Sequence, residues 1–266
     1  MENEFAVMGC SPQELDWLQC AREMGLAAGE VLRSYFRRRD LSIEDKGSAF
    51  DIVTEADKAS ERLIIDRIHT RFPDHAILSE ESGDDHRQAT YQWVIDPLDG
   101  TVNYSAGIAT YCVSIGLKVD GETRMGYVYA PSLDEEFLAI KGKGAFGPYG
   151  QLQVKSITEL QRAVVSTGFP YDKATNDDNN LGSVSRVMPR IRGLRRLGSA
   201  AMDLCYVAAG WLDGYWELNL KEWDACAGEL IALEAGATVK RYRDDHGICI
   251  LAACPGIAQQ LLEMVE

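Results

Sequence analysis

The segment WVIDPLDGTVNY, residues 93–104, limits the fold more than any other stretch of the chain. An apolar, strand-forming run ends on Asp96, and a second carboxylate, Asp99, stands three residues later, just before Gly100 and Thr101. Aspartate is a poor strand former, and a carboxylate at the end of a buried strand needs a partner or a metal. Taken alone, D-x-x-D-G reads as a turn, because Asp-Pro and Asp-Gly both punctuate loops. The neighbouring segments decide whether it is more than that.

Helical and extended patterns alternate around it. The stretch SPQEL begins with a capping box, Ser11 with Glu14 three residues on, and Pro12 at the first helical position. Leu15, Leu18, Met24, Ala28, Val31, Leu32 and Tyr35 then follow helical spacing, predicting a long amphipathic helix that runs on toward the arginines of SYFRRR. LSIEDK reads as a short strand. TEADKASERLIIDRIHTRF reads as a second helix, with Thr54 and Asp57 as caps and Leu63, Ile64, Ile68 and Phe72 as the buried stripe. HAILSEE and YQWVIDP are short strands that stop at carboxylates. Residues 108–154 have the pattern of an antiparallel meander, and AVVSTGF is a further strand. Residues 171–190, polar and rich in Asn and Asp before regaining helical spacing, predict a mobile loop at a rim. SAAMDLCYVAAG and WDACAGELIALEAGA read as helices, GYWEL and GICILAA as strands, and PGIAQQLLEMV as a closing helix. The pattern leaves the strand pairing after Lys240 open. The aromatic residues of GWLDGYWEL are expected in the core. The economical architecture is a mixed, layered α/β chain in two interleaved halves, about 1–155 and 156–266.

Glu80, Asp96, Asp99 and Asp224 share one property: each lies where a strand ends or a helix begins, which is where layered α/β folds place their sites. Carboxylates converging there repel one another unless cations bind between them. Ligands that are all oxygen select hard cations such as Mg²⁺ or Mn²⁺, and the four His residues stand outside these motifs, so zinc is not expected. The N–H groups of Gly100 and Thr101, at a helix start, offer an anion cradle, and the Thr101 hydroxyl can orient a water. A bound metal would also reconcile an anionic substrate with the net charge of −14. That same charge, 41 acidic against 27 basic residues, argues against nucleic acid as a partner. MENEFAVMGC has no basic leader followed by an apolar run, and no segment approaches the ~18 apolar residues of a spanning helix, so neither a signal peptide nor a membrane partner is expected. Seven scattered Cys without C-x-x-C spacing fit small buried hydrophobes in a reducing cytoplasm.

The segments DIVTEAD (51–57), SEES (79–82), WVIDPLDGTVNY (93–104) and EWDACAGELIALEAGA (222–237), in this order and spacing, resemble the signature segments of the inositol monophosphatase family. The resemblance implies a single domain over residues 1–266 with an α-β-α-β-α layered sandwich, as in inositol monophosphatases and fructose-1,6-bisphosphatases. It implies a lithium-sensitive phosphatase, usually homodimeric, that uses two or three Mg²⁺ per subunit, with Mn²⁺ as an alternative, and acts on a small phosphate monoester. Carried over by position, Glu80, Asp96 and the Leu98 carbonyl hold a first metal, and Asp96, Asp99 and Asp224 a second. Glu80 and Thr101 activate the attacking water, and Asp57 holds Thr101. The Gly100 and Thr101 amides bind phosphate, Ala200 and Glu217 contact the substrate alcohol, and Lys46 matches a mobile lysine. Tyr104, where Phe is commoner, and Cys226, within the usual Ala-Ala, depart from the family pattern.

Plainer roles compete for several of these groups. Asp224 could be only a helix N-cap, Asp57 only a capping-box acid, Glu217 a solvated strand residue, and Lys46 an exposed loop lysine. Arg186, Arg190, Arg192, Arg195 and Arg196 fit a rim or subunit contact better than a second phosphate site in so acidic a chain. The leading expectation is hydrolysis of inositol 1-phosphate or a similar polyol phosphate. Fructose-1,6-bisphosphatase, histidinol-phosphatase and 3'-phosphoadenosine phosphatase activities are alternatives, as is a non-catalytic regulatory protein on the same fold. Val-Asn-Tyr after Asp-Gly-Thr speaks against the nucleotide enzyme, and the intact carboxylate set speaks against the scaffold.

Overall fold

A computed structural model describes residues 8–48, 51–243, 245 and 247–266. The reading of the first seven residues as free of a leader lies outside these. In chain order the elements begin with α1 (Pro12–Tyr35), the hairpin β1 (Ile43–Ser48) and β2 (Asp51–Thr54), α2 (Glu55–Arg71), β3 (Ala76–Ser79), β4 (Gly83–Asp84), β5 (Tyr91–Asp99) and a short α3 (Thr101–Ser105). The meander follows as β6 (Cys112–Val119), β7 (Glu122–Ala130), β8 (Glu135–Ile140), β9 (Ala145–Gly147) and β10 (Gly150–Gln151). The remainder comprises β11 (Val164–Thr167), α4 (Leu181–Val187), β12 (Gly193–Arg195), α5 (Ala200–Ala208), β13 (Gly214–Leu220), α6 (Glu222–Glu234), β14 (Thr238–Arg243), β15 (Ile248–Ala253) and α7 (Pro255–Val265).

These pack as five layers. Helices α1 and α2 cover one face of an eight-stranded sheet ordered β10-β9-β8-β7-β6-β5-β3-β4. Helices α5 and α6 cover its other face and separate it from a five-stranded sheet ordered β12-β11-β13-β15-β14, whose outer face carries α7. Each interface is apolar. Leu18, Met24 and Ile64 meet Trp93, Ile95 and Tyr127 in the first, and Ala201, Leu204 and Ile231 fill the space between the sheets. The layered sandwich is the expected one, and the segment after Lys240 resolves into β14, paired antiparallel with β15.

Local chemistry explains the boundaries. The Ser11–Glu14 capping box is formed, and α1 stops at Tyr35, short of the arginines, because Arg37 adopts a left-handed φ of 61°. Helix α6 approaches the large sheet over two glycines that face each other across the β6/β7 ladder, Gly116 and Gly126. A Cβ on Gly126 would stand 2.6 Å from the Ala227 carbonyl oxygen, and one on Gly116 would stand 2.5 Å from Cys226 Sγ. Cys226, the departure from Ala-Ala, is accommodated by this glycine shelf. All seven Cys are free, and six are buried. Trp211 differs from its expected core position: it is 37% exposed and packs edge-on against Tyr206, because it lies in the turn between α5 and β13. Among the described residues no helix is long and apolar enough to cross a membrane.

Candidate active site

Side chains alternate along a strand, so residues three apart should face opposite ways. Asp96 pairs with Ser114 and Asp99 with Cys112, so three steps along β5 match only two along β6. The extra residue is a β-bulge, and it contains Pro97, which has no N–H to give to the ladder. The bulge restores parity and turns both aspartates into one cavity of about 530 Å³. Two bonds fix it: Ser60 Oγ of α2 donates to the Pro97 carbonyl at 2.9 Å, and Leu98 N–H to Asp96 Oδ1 at 2.9 Å. That is why an aspartate pair occurs at the end of a buried strand.

The other carboxylates arrive from separate elements. Glu80 follows β3, whose loop is held by the buried Glu61 of α2, accepting from the Glu81 and Ser82 amides at 3.1 Å each. Asp224 lies in the first turn of α6 and accepts from Lys221 N–H at 2.6 Å; Lys221, not Asp224, is the N-cap residue. Asp99 rests on the amino end of α5, accepting from Ser199 Oγ and Ala201 N–H at 2.7 Å and from Ala200 N–H at 3.3 Å. Burial first, and then the charges of Glu80, Asp99 and Asp224, push the Asp96 pKa far above the carboxylate range. Asp224 is raised for the same reasons, with burial leading and Glu80 and Asp99 following. Burial raises Asp99 to about 6 against the pull of the Ser199 and Ala201 bonds. Three carboxylates whose ionisation burial and mutual repulsion oppose, with Glu80 beside them, are a donor set suited to a hard divalent cation. As they stand, no group of three His, Cys, Asp or Glu among the described residues closes round a cation. Asp99 is turned toward α5, and Glu80 accepts from Lys46.

Thr101 opens α3 behind Gly100, whose φ of 95° and closeness to the Thr110 and Gly198 carbonyls exclude a side chain. Its hydroxyl lies 3.0 Å from Asp57 Oδ1 and 3.0 Å from the Leu98 carbonyl. Asp57 is fully buried, accepts the Thr54 amide at 2.8 Å and so ties the cap of α2 to Thr101. Burial raises its pKa to about 6 against these bonds. Lys46 is not an exposed loop residue: it is half-buried on β1 and donates to Glu80 Oε1 at 2.8 Å and Glu81 Oε1 at 2.5 Å. Burial pulls its pKa down, but the two carboxylates outweigh this and raise it.

Ala200 and Glu217 line the same cavity. Glu217 is half-buried rather than fully solvated; burial lifts its pKa to about 7 although Tyr215 and Arg196 draw it down. Tyr171, Phe169 and Arg196 also line the cavity. Of the arginine cluster, only Arg196 reaches it. Sequence reading passed over Ser199, Glu61, Gly168 and Tyr215. Ser199, as a serine immediately before a helix, carried a capping signal; the others carried none.

The family model for the inositol monophosphatase family matches residues 14–263. An inositol-1-monophosphatase of Synechocystis is 42% identical over 234 residues, covering 87% of this chain and 81% of its own. A Nus factor SuhB of Pasteurella multocida is 40% identical over 244 residues, covering 90% of this chain and 91% of its own. The structure of an inositol monophosphatase from Anabaena matches with a TM-score of 0.83 at 38% identity, covering 94% of this chain and 95% of that one.

Proposed function

The chain belongs to the inositol monophosphatase family and is a phosphatase, and on that premise we propose that it hydrolyses inositol 1-phosphate or a similar polyol phosphate in a Mg²⁺-dependent reaction. The observation that carries this reading is the convergence of Glu80, Asp96, Asp99 and Asp224, from two strand ends and a helix start, on one cavity beside the Thr101–Asp57 bond. These carboxylates and the Leu98 carbonyl would hold two Mg²⁺, with Mn²⁺ as an alternative. Bound there, the cations supply the positive charge that offsets both the carboxylates and the phosphoryl oxygens. The chain's own groups do the positioning. Thr101, giving its proton to Asp57, keeps lone pairs free to orient a water that Glu80 also contacts. Gly100 and Thr101 N–H groups receive the phosphoryl oxygens, and Ala200 and Glu217 face the alcohol. Sensitivity to lithium, a homodimeric assembly and a cytoplasmic location complete the reading.

The test is phosphate release from a panel that includes inositol 1-phosphate, a ketose bisphosphate, histidinol phosphate and 3'-phosphoadenosine phosphate, with Mg²⁺ added or chelated. Release from inositol 1-phosphate that stops on chelation and returns with Mg²⁺, but not Ca²⁺, supports the reading. Full turnover in excess chelator ends it. A second reading, a regulatory role on the same fold, is favoured by relatives named Nus factor SuhB. A Thr101→Ala chain that releases no phosphate yet still complements loss of the wild-type gene would establish that role.

A further inference from the structure

Glu217 is set by two contacts that arise from different elements. Residues two apart on a strand share a face, so Tyr215 and Glu217 of β13 point the same way. The Tyr215 ring is fully buried, and its hydroxyl donates to Glu217 Oε2 at 2.6 Å. From the neighbouring strand, Gly168 follows the end of β11. A Cβ there would stand 1.8 Å from Glu217 Oε1, 2.0 Å from Cδ and 2.1 Å from Oε2. The carboxylate therefore lies flat against the Gly168 backbone. Gly168 is not among the residues with positive φ, so the position calls for glycine because of space and not because of backbone conformation. With Oε2 engaged by the phenol, Oε1 is the oxygen left to accept from a ligand in the cavity.

We propose that Tyr215 and Gly168 are positioning residues that present Glu217 as a pre-oriented hydroxyl acceptor, so that the site selects phosphate esters whose alcohol carries a free hydroxyl beside the ester. This rests on the reading of the cavity as a phosphomonoesterase site. The physical basis is preorganisation. A glutamate free to rotate must be ordered each time substrate binds, whereas one clamped between a phenol and a backbone accepts at once. An aryl ester offers no such hydroxyl and gains nothing from the clamp.

The measurement is kcat and KM for inositol 1-phosphate and for phenyl phosphate with saturating Mg²⁺. The proteins are wild type, Tyr215→Phe, Gly168→Ala, Glu217→Gln and the double variant Tyr215→Phe/Glu217→Gln, each checked by thermal unfolding. Tyr215→Phe keeps the ring and its packing, so it remains informative even where Gly168→Ala does not fold. Its expected effect is a fall in the ratio of specificity constants on the order of tenfold, the worth of one hydrogen bond to a charged acceptor, seen in KM rather than kcat. In the Glu217→Gln background the same change should add nothing. An unchanged ratio, or the same fall whether or not Glu217 is intact, overturns the assignment. A wild type that releases phosphate from neither ester refutes the phosphatase reading and this inference with it. A wild type active on both esters, with a ratio indifferent to Tyr215, refutes only the inference.

Discussion

Gly126→Ala tests whether the glycine shelf under α6 sets the geometry of the site. The new Cβ would lie 2.6 Å from the Ala227 carbonyl oxygen and 3.0 Å from its Cα. Both neighbours are backbone, so no rotamer can relieve the contact, and the helix must retreat by something under ~1 Å to recover normal separation. Overpacking of this kind costs about 1–3 kcal/mol. Asp224 lies one turn earlier on the same helix and moves with it. A displacement of ~1 Å at a positioned group costs on the order of 100-fold in rate. Urea unfolding gives the first quantity; kcat/KM as a function of Mg²⁺ concentration gives the second, with a higher Mg²⁺ requirement expected. Gly116→Ala is the internal control, because its Cβ overlaps the Cys226 Sγ at 2.5 Å while Ala227 N stays at an ordinary 3.6 Å, and Cys226→Ala should relieve it. Gly126→Ala with stability within about 0.5 kcal/mol of wild type and an unchanged Mg²⁺ dependence would refute the reasoning.

Three further outcomes follow from named contacts. Thr101→Ala should lower kcat by on the order of 100-fold with KM little altered, as expected for a group that orients the water and not the alcohol; a raised KM at normal kcat would remove it from that role. Ser199→Ala deletes one of the three α5 donors to Asp99 and the N-cap of α5, and should cost about 1–2 kcal/mol by urea unfolding; a loss confined to error would show that the Ala200 and Ala201 amides suffice. His75 accepts from Trp93 Nε1 through Nδ1 at 3.1 Å, stacked on Phe72 and Tyr91, and burial holds its pKa below the ordinary value. A histidine lowered on folding contributes stability above its unfolded pKa of about 6.5 and loses it as pH falls from there toward the folded value. His75→Gln keeps an acceptor without titrating. Relative to wild type it should therefore gain stability between pH 7.5 and 5.5, and parallel pH profiles would exclude the effect.

Much of the candidate site was legible in order along the chain. Strand-terminating carboxylates at Glu80 and Asp96, the D-P-x-D-G-T run and the capping signals at Ser11 and Thr54 are local properties, dictated by strand, turn and helix-end chemistry. The layers were legible for the same reason, since each element's apolar period states which face it must bury. Contacts made across layers were not. Glu61 under the SEES loop, Tyr215 beneath Glu217 and Gly168 beside it look, in sequence, like an ordinary helix acid, a strand aromatic and a strand glycine. That Lys46 of β1 sets its ammonium against Glu80 and Glu81 is likewise a contact that nothing local in the sequence states.

The sequence by itself determined the chemistry available here: an oxygen-rich donor set, a hydroxyl beside it, and elements whose patterns allow a layered α/β sandwich. The tertiary structure decided how those groups are aimed. One extra residue opposite β6 turns Asp96 and Asp99 to the same side, and two glycines let α6 close enough to bring Asp224 to them. The donors of α5 take hold of Asp99 from a hundred residues away. Residue types are fixed by local propensity and pattern, but direction and distance depend on register and close packing between segments far apart in the chain, which no local signal encodes.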